Sequence, residues 1–101
     1  MINFLNIRNH FPQYHEDKSH WAYGYCKNIK DKKEAYKLIT DSNYAYFYCE
    51  YIKDRKAVRK FITDSYWAYT YCRTVKDRPS IRKYITDSHW ASCYRGWKQT
   101  Q

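Results

Sequence analysis

The chain has 101 residues, and its 19 Lys and Arg against 10 Asp and Glu give it a net charge of +9. This length predicts a single domain, residues 1–101, and no stretch approaches the ~20 apolar residues of a membrane-spanning helix. The first residues lack the pattern of a signal peptide, and two glycines, Gly24 and Gly96, are too few for a glycine-rich phosphate loop.

A period of 23 residues sets the order of the predicted elements. The triplet Thr-Asp-Ser begins at Thr40, Thr63 and Thr86, and 13 of 23 positions are identical in the second and third repeats. Residues 1–16 do not follow the period and are predicted to form an N-terminal cap. The remainder predicts three repeats and a truncated fourth repeat that caps the C-terminus: 17–39, 40–62, 63–85 and 86–101.

Each repeat is predicted to begin with its longer helix. In the third repeat this helix runs from Ser65 to about Lys76, and Asp64 or Ser65 is its N-cap, because either side chain can accept a free amide hydrogen of the first turn. The apolar residues of this segment fall on one helical face: Trp67, Ala68, Tyr71, Cys72 and Val75.

A shorter helix is predicted to follow, from about Pro79 to Ile85 in the third repeat. Asp77 precedes it as a cap candidate, and Pro79 fits only the first turn of a helix. A helix of about two turns is not stable by itself and needs packing on its neighbours. The sequence therefore predicts an all-α fold, a small α-solenoid of stacked helical hairpins.

One segment of the repeat, residues 64–78 with the sequence DSYWAYTYCRTVKDR, resembles a short tandem repeat of uncharacterised bacteriophage and bacterial proteins. Those repeats have an acidic start, then W-A-Y-x-Y-A, then V-I-K and an Arg, and a short second helix. The resemblance covers residues 17–97. Cys72 stands where the family usually has Ala, and the second helix is basic where the family is more often acidic. The resemblance implies a helical repeat and a phage or bacterial source, but no activity and no functional residues.

Three cysteines, Cys26, Cys49 and Cys72, occupy the same position in successive repeats. Equivalent positions of packed helices lie roughly 9–10 Å apart, whereas a disulfide needs Cα atoms within about 7 Å. The spacing favours free, buried thiols and a reducing compartment, which is the cytoplasm of a bacterial host if the chain is phage-encoded. Cys93 departs from this register and is assigned no role.

No arrangement of residues predicts a metal site, a cofactor or a catalytic centre. The histidines form no ligand motif: His10, His15, His20 and His89. The recurring acids Asp41, Asp64 and Asp87 are explained as helix N-caps. We therefore expect a protein that is not an enzyme, has no small-molecule substrate and binds neither metal nor cofactor.

The net charge is concentrated in the turn and short helix of each repeat. The segments 30–37, 53–60 and 76–83 hold 13 basic and four acidic residues, so they carry the whole excess of +9. Stacking would align them into a basic ribbon, whose predicted binding residues are Lys30, Lys32, Lys37, Lys53, Arg55, Lys56, Arg59, Lys60, Lys76, Arg78, Arg82 and Lys83. Such a ribbon would bind phosphates with strong salt dependence, and the alternative is a solvated face that maintains solubility.

The tyrosines recur at two positions of the longer helix. One set is predicted to lie in the core: Tyr25, Tyr48, Tyr71 and Tyr94. A second set lies at the edge of the apolar face, to pack there or to stack on bases: Tyr23, Tyr46 and Tyr69. Phe47, Tyr51 and Tyr66 lie off that face and are predicted to be exposed contacts for a protein partner.

These observations favour a non-enzymatic binding module that uses its basic face to engage nucleic acid, or a nucleic-acid-handling or defence complex of the host. Its role as an anti-CRISPR-like inhibitor is an association with the phage source that the resemblance implies. The alternative is a structural or adaptor repeat protein that binds an acidic protein surface or itself, without contact to nucleic acid.

Overall fold

The structure is a computed structural model that describes residues 18–101. The N-terminal cap predicted for residues 1–16 lies outside the described residues, as does the start of the first repeat. Within residues 18–101 all regular structure is helical, which confirms the predicted all-α class. The helices are α1 (Lys18–Asn28), α2 (Lys33–Tyr36), α3 (Ser42–Tyr51), α4 (Lys56–Arg59), α5 (Ser65–Thr74), α6 (Pro79–Arg82) and α7 (Ser88–Gln99). None of these helices is long and apolar enough to cross a membrane.

Long and short helices alternate along the chain. Each of the long helices α1, α3 and α5 packs against the short helix that follows it and against the next long helix. The described residues extend over 49 × 22 × 17 Å. The helices are shorter than predicted, since α5 ends at Thr74 and α6 at Arg82.

The core is built from the same positions in successive repeats, as the periodicity predicts. Ala22, Ala45 and Ala68 are fully buried, and each is followed at helical spacing by a buried tyrosine and a buried cysteine. The short helices contribute one buried side chain each: Ala35, Val58 and Ile81. The tyrosines Tyr25, Tyr48 and Tyr71 are buried as predicted, whereas Tyr94 on α7, also predicted to lie in the core, is only half-buried.

The predicted N-caps are only partly correct. The side chains of Asp64 and Asp87 accept backbone N–H groups at the start of α5 and α7. Asp41 occupies the same position before α3 but makes no capping hydrogen bond. Asp77 is not a cap at all, because α6 begins after Arg78 and the Asp77 carboxylate binds other side chains.

A serine in the first turn of α1, α3 and α5 holds the start of the next repeat. The Ser42 hydroxyl donates to the Phe61 carbonyl at 3.0 Å and accepts the backbone N–H groups of Thr63 and Asp64 at 3.1 and 3.2 Å. These contacts recur in the other repeats: Ser19 with Leu38, Thr40 and Asp41, and Ser65 with Tyr84, Thr86 and Asp87. The backbone between a short helix and the next long helix is therefore satisfied by one side chain.

Candidate functional site

Three groups of side chains, the inter-repeat clusters, join each repeat to the next. In the central cluster, the Asp54 carboxylate accepts the Tyr71 hydroxyl at 2.8 and 2.9 Å and the Arg78 guanidinium at 3.0 Å. Arg78 Nε also donates to the Tyr71 hydroxyl oxygen at 2.8 Å. The other two clusters comprise Asp31, Tyr48 and Arg55, and Asp77, Tyr94 and Lys98.

Burial and hydrogen bonding shift the pKa values within the central cluster. Burial alone would raise the pKa of Asp54, but hydrogen bonds from Tyr71 and Arg78 and the charge of Arg59 outweigh it and hold that pKa below its ordinary value. Burial, together with the hydrogen bond to Asp54, raises the pKa of Tyr71. The tyrosine therefore remains a neutral donor to an ionised carboxylate.

The arginines of the predicted ribbon belong to these clusters. Arg55 and Arg78 pair with the aspartate of the preceding repeat, at 3.0 Å in both cases. Arg59 and Arg82 pair with the aspartate of their own repeat, Arg59 with Asp54 at 3.4 Å. These four side chains thus form intramolecular ion pairs, which were not predicted from the sequence.

The lysines of the predicted ribbon differ from its arginines. Seven of them are exposed, and within residues 18–101 none of the seven forms an ion pair: Lys30, Lys37, Lys53, Lys56, Lys60, Lys76 and Lys83. The eighth, Lys32, is half-buried. The cationic surface of this layer is therefore formed by lysine ammonium groups, whose charge the inter-repeat clusters leave uncompensated.

A shallow cleft of about 170 Å³ lies between the short helices α4 and α6. Its charged lining comprises Lys56, Lys60 and Lys83 together with Arg59. The ammonium groups of Lys60 and Lys83 lie 5.3 and 5.2 Å from the ring centroids of the neighbouring Phe61 and Tyr84. Three ammonium groups around one cleft can bind an anion.

The three aromatic residues predicted to be exposed differ in their surroundings. Tyr51 is 62% exposed and Tyr66 is 40% exposed, as expected. Phe47 is half-buried and packs on Trp67 of the next repeat, with ring centroids 5.3 Å apart. The prediction of an exposed Phe47 was wrong. It considered the helical face of a single repeat and left out the contact with Trp67 of the next repeat.

The cysteines of the repeat are buried and free, as the spacing predicts. Cys26, Cys49 and Cys72 are 5%, 5% and 2% exposed. Burial is the main reason that their pKa values are raised, to about 12, 12 and 11. Within the part of the chain that the structure describes, no three His, Cys, Asp or Glu side chains are grouped as a metal ion would require.

We expect one of the four thiols to react much faster than the others with a thiolate-specific reagent. Cys93 is half-buried on α7 and lies 3.8 Å from the His89 ring, whereas the other thiols are inaccessible and resist ionisation. Mass spectrometry of the folded protein after brief labelling should find one adduct, at Cys93. Labelling in denaturant should give four, and several rapid adducts in the folded state would contradict the buried assignment.

Comparison with protein-family models, with curated proteins and with solved structures gives no significant match for this chain.

Proposed function

We propose that the chain is a short α-solenoid that acts as a non-enzymatic nucleic-acid-binding module. The single observation that carries the proposal is a set of seven exposed lysines in the turns and short helices, none of which forms an ion pair within residues 18–101. Arginines and lysines of this layer both recur every 23 residues, but intramolecular ion pairs hold the arginines, whereas the seven lysines form no ion pair in the described part of the chain. Regularly spaced ammonium groups on one structural layer suit a polymer with regularly spaced phosphates.

The resemblance to phage and bacterial repeats supports, as part of the same proposal, a phage or mobile-element source. In that setting the partner would be a host nucleic acid, either alone or within a nucleic-acid-handling or defence complex. An acidic protein surface is the alternative partner of a lysine layer, and the experiment below distinguishes the two.

Charge reversal of one lysine row tests the proposal. The variant Lys37→Glu/Lys60→Glu/Lys83→Glu changes three exposed side chains at one repeat position, and we expect it to weaken binding to DNA or RNA roughly 100-fold near 0.1 M salt. Each lost phosphate contact should also make the slope of log K against log salt less negative, by about 0.9 for a duplex. Fluorescence anisotropy with labelled duplex and single-stranded oligonucleotides over a salt series measures both quantities.

A matched control carries the same change in charge on the long helices. Lys18, Arg73 and Arg95 are exposed there, and their replacement by Glu should alter affinity by only a few-fold through the lower net charge. Circular dichroism checks that both variants fold. Equal losses in the two variants, or no binding by the wild-type protein at low salt, would overturn the proposal and favour a protein partner.

A further inference from the structure

An aromatic groove of about 460 Å³ lies between the long helices α1 and α3. Its lining combines ring faces with a few polar groups: His20, Tyr23, Gly24, Lys27, Asn28, Tyr44, Phe47 and Tyr51. The Lys27 ammonium lies 5.8 Å from the Tyr23 ring centroid and 5.6 Å from that of Tyr51. The groove therefore presents aromatic ring faces next to one cation.

Gly24 leaves this groove open. Among residues 18–101, none has an atom within 4 Å of a Cβ built on Gly24, so the described part of the chain leaves space next to its backbone. The repeat position of Gly24 holds Phe47 in the second repeat, where the Phe47 ring fills the corresponding place by packing on Trp67. The residue at this repeat position is therefore one of the differences between the open groove and the filled one.

The charged residue at the groove also differs between the first and second repeats. Lys27 corresponds to Glu50 in the second repeat, and Glu50 is engaged there by the hydroxyls of Tyr46 and Thr74. The open groove is thus the one that carries a cation, and the filled one carries an anion. A ligand suited to the open groove is a flat ring with a negative group attached to it, which describes a nucleotide.

We propose that this groove binds one unpaired base of a nucleic-acid strand, with Lys27 placed to contact the adjacent phosphate. The inference rests on the proposed function and extends it, because it predicts a preference for single strands. Tyr51, at 62% exposure, offers a ring face to which a splayed base has access. Bases within a duplex are stacked on each other and cannot enter such a groove.

The variant Gly24→Phe tests this inference by filling the groove with the residue that the second repeat already uses. We expect it to lower the affinity for a labelled oligothymidylate about tenfold or more, while the affinity for a duplex of equal length stays within a factor of two. Gly96→Phe is the matched control, since Gly96 also lies in a helix and no atom of the described residues is within 4 Å of its Cβ position. It should change neither affinity.

Tyr51→Ala provides a second variant that does not depend on how a new ring packs, and it should show the same selective loss. If Gly24→Phe and Tyr51→Ala leave the binding of single strands unchanged, the groove inference is wrong, although the lysine layer retains its own test. If both variants weaken single-strand and duplex binding equally, the inference is also wrong. Displacement of the oligothymidylate by micromolar thymidine monophosphate would show that the groove takes free nucleotides instead of a strand, and would overturn it as well.

Discussion

Replacement of Asp54 by Ala is expected to destabilise the folded chain by about 2–4 kcal/mol. The Asp54 carboxylate receives hydrogen bonds from the buried Tyr71 hydroxyl and from Arg78, and it pairs with Arg59. Its removal leaves two guanidinium groups and a buried hydroxyl without their anion at the boundary between the second and third repeats. Urea denaturation followed by circular dichroism measures the loss.

Asp41→Ala is the control for this substitution. Asp41 is exposed and makes no capping hydrogen bond, so its replacement should change stability by less than about 0.5 kcal/mol. A double-mutant cycle with Tyr71→Phe refines the result, because loss of the hydroxyl should cost less once Asp54 is absent. Equal stabilities of the Asp54→Ala and Asp41→Ala proteins would show that the cluster contributes nothing.

The dependence of the free energy of unfolding on pH, measured at acid pH, gives a second test of how much the central cluster stabilises the fold. The folded-state pKa of Asp54 lies below its unfolded value, so its contribution is complete above the unfolded pKa of about 3.9 and is lost as the pH falls through the folded value. Asp77 has a lowered pKa for similar reasons. The wild-type protein should therefore lose stability below about pH 4, and the Asp54→Ala protein should lose less over that range.

Replacement of Ser42 by Ala is expected to cost about 2 kcal/mol. The Ser42 hydroxyl is the common partner of one carbonyl and two backbone N–H groups at the junction that leads into α5. Alanine supplies none of these three hydrogen bonds, and the junction would have to be solvated in its place. Thermal and urea denaturation should both report the loss, together with faster amide exchange at Thr63 and Asp64.

Ser88→Ala separates this loss from the effect of alanine itself. Ser88 has the same repeat position on α7, is exposed, and makes no side-chain hydrogen bond within residues 18–101. Its replacement removes no such contact and should leave stability unchanged or slightly increased, since alanine is the better helix former. A loss at Ser88 as large as that at Ser42 would contradict the role assigned to the Ser42 hydroxyl.

The helices and the buried positions could be predicted because they depend on patterns within one repeat. Helical spacing places Ala68, Tyr71 and Cys72 on one face, and the structure buries all three. The short helix was predicted to end at Ile85 but ends at Arg82. The prediction was too long because the apolar spacing continues beyond the residues that are hydrogen-bonded as a helix.

The inter-repeat clusters were not predicted because their members are distant in sequence and meet only through the packing of one repeat on the next. Asp54 precedes Tyr71 by 17 residues and Arg78 by 24 residues, and a count of charges treats each arginine as free. The signal was nevertheless present, since the same spacings recur from Asp31 to Tyr48 and Arg55. The half-burial of Phe47 was not predicted for the same reason, because Phe47 contacts Trp67 of the next repeat.

The clusters also bear on how a chain of this kind can change in length. Each full repeat carries an aspartate that binds the following repeat, and the second and third carry a tyrosine and an arginine that bind the preceding one. An in-frame duplication of the 23-residue unit 40–62 would therefore supply both halves of every new junction at once. Length can then vary in whole units by a single genetic event, with each added unit extending the row of lysines and leaving the existing contacts in place.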